Sequence, residues 1–211
     1  MKSKVLAHLM LWWFVLPIVF ILVMPILPND QMFNISPEEI QSNDMAFVQE
    51  TNAQLLNDAL ENFQSWFVQT GYVAQSLAQF GGDNNRKTMG IGVENQYSNV
   101  SGQWIRHFWM TIYRGVYRME VEIRWYTELF VLLLASLVDG LMSRKIRQHE
   151  FGYSNPLMFH SMTHMVIAAL GASSVLPLLP IGIASMAWPV LIVFTVIGIN
   201  VAARNYQTGV Q

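Results

Sequence analysis

The chain has 211 residues, 53% hydrophobic and 12% charged, with a formal net charge of -2 and no cysteine. Soluble domains carry about 25% charged residues, so this composition points to a lipid environment. Twelve basic residues against fourteen acidic ones give no general affinity for nucleic acid, and the lack of Cys excludes disulfides, thiolate metal sites and a thiol nucleophile.

The run Val5 to Pro28 holds no acidic residue and no basic one except His8, and Lys2 and Lys4 precede it. A hydrocarbon core of roughly 30 Å needs about 20 apolar residues in a helix. The run is longer than a secretory signal core and ends in Met24-Pro25-Ile26-Leu27-Pro28 without a small-x-small cleavage site. Residues 1–28 are therefore expected to be an uncleaved transmembrane anchor, with Trp12 and Trp13 near an interface.

Residues 29–125 are polar. Ser36-Pro37-Glu38-Glu39 is a helix start: the Ser hydroxyl accepts from a free backbone N–H, Pro wastes no donor, and Glu39 can close a capping box. Leu56, Leu60, Phe63 and Phe67 recur at helical spacing, predicting one helix that runs to about Phe80. Gly81, Gly82, Asp83, Asn84 and Asn85 read as a break, and Gly90 and Gly92 keep the next stretch loose. Gly90-Ile-Gly92 is no dinucleotide fingerprint. A second helix is expected to begin near Ser98 to Gly102. Its stripe of Ile105, Trp109, Ile112, Val116, Met119, Ile123 and Tyr126 repeats in steps of four and three, the mark of a helix packed on a partner. The Ser36 helix is the expected partner, in an antiparallel hairpin. For Arg106, His107, Arg114 and Arg118 on the opposite side, a plain solvated face is expected, with contact to a partner, a lipid headgroup or a neighbouring subunit as the alternative. Arg118, Glu120, Glu122, Arg124 and Glu128 alternate in sign, as on a solvated face with local pairs. Trp104, Phe108 and Trp109 add aromatic surface suited to a protein partner.

No Gly or Pro separates this helix from the apolar run Trp125 to Met142, which is about long enough to span. Asp139 lies late in it. The cluster Ser143-Arg144-Lys145-Ile146-Arg147 follows. After a turn at Gly152 to Pro156, a third span is expected from Leu157 to Leu179, then a hairpin at Pro177 and Pro180, then a fourth from Ile181 to Ala203, closed by Arg204. The parts are thus 1–28, 29–125, 126–204 with three spans and a short basic loop, and a tail at 205–211. Basic residues near span ends collect on the cytoplasmic side. Lys2, Lys4, Arg144 to Arg147 and Arg204 satisfy this if both termini are cytoplasmic and 29–125 is periplasmic. The expected class is an all-α membrane protein with four transmembrane helices and a periplasmic antiparallel helical hairpin, in a bacterial inner membrane.

Intramembrane polar residues are costly and informative. His160 and His164 stand one turn apart and could hold a metal or proton, with Asp139 as the nearest acid; ordinary hydrogen bonding near an interface is the plainer reading. Asp139 is expected to pair with Arg144 or a His. Ala168, Ala172, Ala169 and Ser173, and Gly198 with Ala202, give the small-residue spacing that lets membrane helices approach. No catalytic constellation, cofactor site or dedicated metal site is expected.

The stretch Leu137-Val-Asp139-Gly140-Leu-Met-Ser-Arg144-Lys-Ile-Arg147, through Phe151-Gly152-Tyr-Ser154 to Phe159-His160, resembles the integrating conjugative element membrane proteins. In that family a "VDGL" span end leads to a basic segment, a glycine turn and an aromatic–His pair. This chain has a single Gly152 at the turn. The resemblance implies a non-enzymatic accessory subunit of a conjugative DNA-transfer (type IV secretion) apparatus. The partners it implies are the coupling ATPase or other channel subunits, with membrane lipid around the spans and no direct nucleic acid. Self-association of the spans is the other interaction considered. Arg144, Lys145 and Arg147 are the expected contact. The alternative is a small transporter or metal-handling protein built on His160, His164 and Asp139.

Overall fold

A computed structural model describes residues 5–80, 96–150 and 155–206. Lys2 and Lys4, the break at 81–95 and Gly152 lie outside the described residues. The described residues are helical and contain no strand. The helices are α1 (Val5–Met10), α2 (Leu16–Val23), α3 (Pro37–Ala46), α4 (Gln49–Phe63), α5 (Tyr72–Phe80), α6 (Gln96–His149), α7 (Pro156–Val175) and α8 (Ala187–Asn205). Among the described residues three helical stretches are long and apolar enough to cross a membrane: Val5–Ile26, Pro156–Leu178 and Ala187–Asn205. The run Trp125–Met142 lies inside the 54-residue α6, which passes from polar to apolar sequence without a break, as expected.

The chain divides into two compact units. One comprises residues 1–16, 122–176 and 185–211. Asn155 caps α7 by accepting from the backbone N–H groups of Leu157 and Met158, with Pro156 at the first position. α7 and α8 pack closely where Gly198 faces Val166 and Met165, and a Cβ at residue 198 would stand 2.6 Å from Val166 Cγ2. α6 meets α8 the same way: a Cβ at Gly140 would stand 2.7 Å from the Asn200 carbonyl oxygen. Ser136 Oγ donates to the Val196 carbonyl at 2.6 Å, and Asn200 Nδ2 donates to the Ser136 carbonyl. These bonds satisfy polar groups inside an otherwise apolar contact. α1 and the turn after it pack on α7, with Trp12 of that turn seated on Gly171. Between α1 and α2, Leu11–Val15 forms a π-helical turn in which the Leu16 N–H bonds the Leu11 carbonyl. Pro17 follows and has no N–H to continue the ordinary ladder.

The other unit comprises residues 17–121 and 177–184. Ser36 caps α3 through its Oγ, which accepts from the Glu39 N–H, with Pro37 next. The single helix expected from Ser36 to Phe80 is broken. Phe47 and Val48 are extended, and Gly71 takes φ +83, which a side chain would resist. Of the expected Leu56–Leu60–Phe63–Phe67 row, Phe63 and Phe67 pack on Trp109 of α6, but the buried face of α4 is a different one. Asn52, Leu55 and Ala59 are buried, while Leu60 is 43% exposed. The larger correction concerns α6. His107, Thr111, Arg114, Arg118 and Val121 are buried, and Met119 and Ile123 are exposed. The buried row keeps the four–three rhythm, but two residues out of phase with the predicted apolar stripe. Three of the four basic residues expected in solvent, His107, Arg114 and Arg118, lie on the packed face, while Arg106 is exposed as expected.

Candidate functional site

That packed face is built from charge. Arg118 Nε and Nη2 donate to the two carboxylate oxygens of Glu39 at 2.8 and 2.7 Å, a bidentate pair with side chains only 1% and 3% exposed. Arg118 Nη1 also donates to the Leu179 carbonyl at 2.7 Å, and Nη2 to the Ile181 carbonyl. Glu39 Oε2 accepts from the Ile183 N–H as well. One guanidinium and one carboxylate thus hold residues 179–183 against α3 and α6. The fork geometry of Arg suits this task. One turn earlier, Arg114 donates to the carbonyls of Met32 and Leu178. Burial, with Arg118 as neighbour, lowers its pKa to about 10, so it remains a cation at neutral pH. Tyr117 Oη accepts from Asn43 Nδ2 at 2.6 Å, and burial pushes the phenol up. His107 bonds the Asp30 carboxylate at 2.6 Å and the Pro25 carbonyl at 3.2 Å; the His107 bond holds Asp30 below the usual carboxylate range. These groups bond each other and the backbone, and together they clamp residues 178–183 to α3 and α6.

Beside the clamp lies an apolar groove of about 510 Å³ lined by Phe33, Phe63, Leu77, Trp109 and Tyr113, with Arg106 among the lining residues. Of the aromatic trio, Trp109 lines the groove and donates to Ser76 Oγ at 2.8 Å. Trp104 stacks on Phe108 and donates to the Leu22 carbonyl. The three are half-buried.

In the other unit, Asp139, for which Arg144 or a His is the expected partner, accepts from Asn200 Nδ2 at 2.8 Å. An uncharged partner on α8 fixes it. Arg144 lies over the Tyr206 ring, 5.0 Å from its centre. Arg147 bonds Asn205 Oδ1 at 3.4 Å. Lys145 is exposed. His160 and His164 diverge. His160 is exposed beside Phe159, whereas His164 Nδ1 faces His8 Nδ1 at 3.1 Å. His8 Nε2 in turn accepts from Trp12 Nε1 at 3.0 Å. That bond leaves the His8 proton on Nδ1, so His8 donates to His164 and ties α1 to α7. Among the described residues no three His, Asp or Glu side chains gather for a metal. Arg124 and Glu128 pair locally at 3.3 Å on the surface, as the alternating charges suggested. Glu122, by contrast, is buried with Ser173 beside it, and burial raises its pKa to about 7. Tyr126 Oη shares Ser173 Oγ at 3.2 Å.

Asp30, Glu39, Asn43 and His8 are residues that sequence reasoning missed as partners. The one signal available was the Arg114–Arg118 spacing, a single turn on a helix that also carried a long apolar row.

No curated protein and no solved structure matches the chain. A family model does, over residues 29–207, beginning directly after the first apolar run: IncC plasmid conjugative DNA transfer protein DtrJ-like. This agrees with the resemblance of Leu137 to His160 in pointing to conjugative DNA transfer. With that match over most of its length, the chain belongs to the DtrJ-like family of IncC plasmid conjugative DNA transfer proteins.

Proposed function

We propose that the protein is a non-enzymatic inner-membrane subunit of a conjugative type IV secretion apparatus, seated beside the coupling ATPase. In this reading it crosses the bilayer four times, with α6 supplying the second span over Trp125–Met142. Residues 29–125 form a periplasmic helical hairpin, and both termini are cytoplasmic. The observation that carries the reading is membership of a conjugative DNA-transfer family in a chain with three membrane-length helices. The exposure of Phe130, Val131, Leu134, Val138 and Met142 along α6 supports a further lipid-facing helix, since water would penalise so much bare hydrocarbon. The likeness of Leu137 to His160 to the integrating conjugative element proteins belongs to the same reading.

The docking surface is the basic end of α6. Arg144 and Arg147 are steadied against Tyr206 and Asn205, and Lys145 projects from the same end. Reversing all three charges to Glu is expected to abolish co-purification with the coupling ATPase and lower transfer frequency at unchanged protein level. Unchanged co-purification and transfer would contradict the docking surface while leaving the membrane reading in place.

A further inference from the structure

Two polar side chains stand exposed on the proposed spans, Asp139 on α6 and His160 on α7. Such groups are costly against hydrocarbon and call for partners. Asp139 accepts from Asn200 Nδ2, whose second hydrogen goes to the Ser136 carbonyl. Asn200 therefore has nothing more to donate, while the carboxylate has lone pairs to spare. Arg144, the basic side chain nearest in sequence, lies over Tyr206. His160 touches the Phe159 ring and makes no hydrogen bond among the described residues.

The two groups share one depth. α7 and α8 run antiparallel, and two contacts fix their register. The Asn155 N–H donates to Asn205 Oδ1 at 3.3 Å, and a Cβ at Gly198 would stand 3.6 Å from the Met162 carbonyl oxygen. Each step along α7 is a step back along α8, so His160 stands level with Asn200 and hence with Asp139. They lie on opposite sides, however. α6 meets α8 at Val196, Asn200 and Ala203, whereas α7 meets it at Gly198 and Asn205. At 3.6 residues per turn these are opposite faces of α8. At this depth the order is α6, α8, α7, with a carboxylate at one end of the row and an imidazole at the other.

Beside Asp139 the seam of α6 and α8 forms a groove of about 400 Å³, lined by Leu132, Ala135, Val196, Ile197 and Val201. One turn of a helix occupies roughly 400–600 Å³ from its 10–12 Å diameter and 5.4 Å pitch. Leu157, His160 and Ser161 are exposed on a single turn of α7, at the spacing that shares one face. We propose that neighbouring copies of this chain join head to tail, with the Leu157–His160–Ser161 turn of one in the α6–α8 groove of the next and its imidazole N–H donating to the Asp139 carboxylate. The contact rests on the membrane reading above, because one orientation in one bilayer is what brings the two depths together. A two-fold contact through the groove would set Asp139 against Asp139, like charge on like. A head-to-tail contact repeats, closing into a ring or running on as an array.

The test uses the full chain, which has no cysteine of its own. Two differently tagged copies are expressed together, one with Leu157→Cys and the other with Val201→Cys, and isolated membranes are oxidised with copper phenanthroline. A disulfide between the two tags is expected, and neither variant expressed alone should crosslink to itself. Asp139→Leu and His160→Leu should each lower the mixed disulfide about tenfold, and the exchange Asp139→His with His160→Asp should restore it. Should Asp139→Leu fail to accumulate, His160→Leu, at an exposed position, carries the test. A membrane-embedded chain without the mixed disulfide would overturn this contact alone. So would a yield unchanged by His160→Leu, or self-crosslinking of the single variants in its place. A chain that does not partition into membranes would overturn the membrane reading and this contact with it.

Discussion

Arg118 makes the energetics of this chain concrete. A buried ion pair is costly to desolvate and is repaid only when its remaining donors are satisfied. Here they are, by Glu39 and by the carbonyls of 179 and 181. Removing one partner leaves a bare buried charge, so Glu39→Ala should cost about 3–5 kcal/mol of stability, read by thermal unfolding in detergent. The double variant Glu39→Ala with Arg118→Met should not recover the loss, because residues 179–181 would still lack their donor. Full recovery would reduce the clamp to a simple pair. Glu122 supplies the pH dependence. Its folded pKa, raised to about 7 from 4.5, means the folded state holds a proton that the unfolded chain releases. Its contribution is complete below about pH 4.5 and is lost as pH rises through 7. Stability should therefore fall by up to roughly 2–3 kcal/mol between those values, and Glu122→Gln should flatten that slope. A wild-type slope retained in the variant would place the proton elsewhere. Neither role was legible beforehand, for one reason: a charged side chain was read as a solvated one. That rule holds on average and fails where acid and base meet across elements, as Glu39 and Arg118 do from 79 residues apart.

Among the elements, α6 was the most legible and also the most misread. Its continuity into the apolar run followed from the absence of Gly and Pro, and its four–three rhythm was present in the sequence. The phase was not recoverable, because Ile105 and Val116 on one side and His107, Arg114 and Arg118 on the other are all buried. α3 announced itself through Ser36 and Pro37. The kink at Gly71 was missed because a lone Gly inside a helical pattern carries little weight. Of the small residues, Gly198 was anticipated and Gly140 was not, as it had been absorbed into the "VDGL" motif. Gly140 faces backbone, at the Asn200 carbonyl, which cannot turn aside, whereas Gly198 faces the tips of Val166 and Met165. Gly140→Val should therefore disrupt the α6–α8 contact more than Gly198→Ala disrupts α7–α8. Disulfide trapping between engineered cysteine pairs across each contact measures this, and equal trapping in both variants would contradict it.

For the whole molecule, the long apolar segments were legible in the sequence, and among the described residues three of them are helices long and apolar enough to cross a membrane; conjugative DNA transfer is carried by the family. The groove was not legible, since its walls are drawn from segments 33 to 113 that no local pattern joins. The proposed docking end depends on topology, with 29–125 on one side of the bilayer and the basic end of α6 on the other. Because the chain lacks cysteine, single cysteines can report this directly. Leu60→Cys and Lys145→Cys sit at exposed positions. Treated in intact cells with a membrane-impermeant maleimide once the outer membrane is permeabilised, residue 60 should label and residue 145 should label only after the inner membrane is opened. Labelling of both before that step, or of neither, would contradict the account.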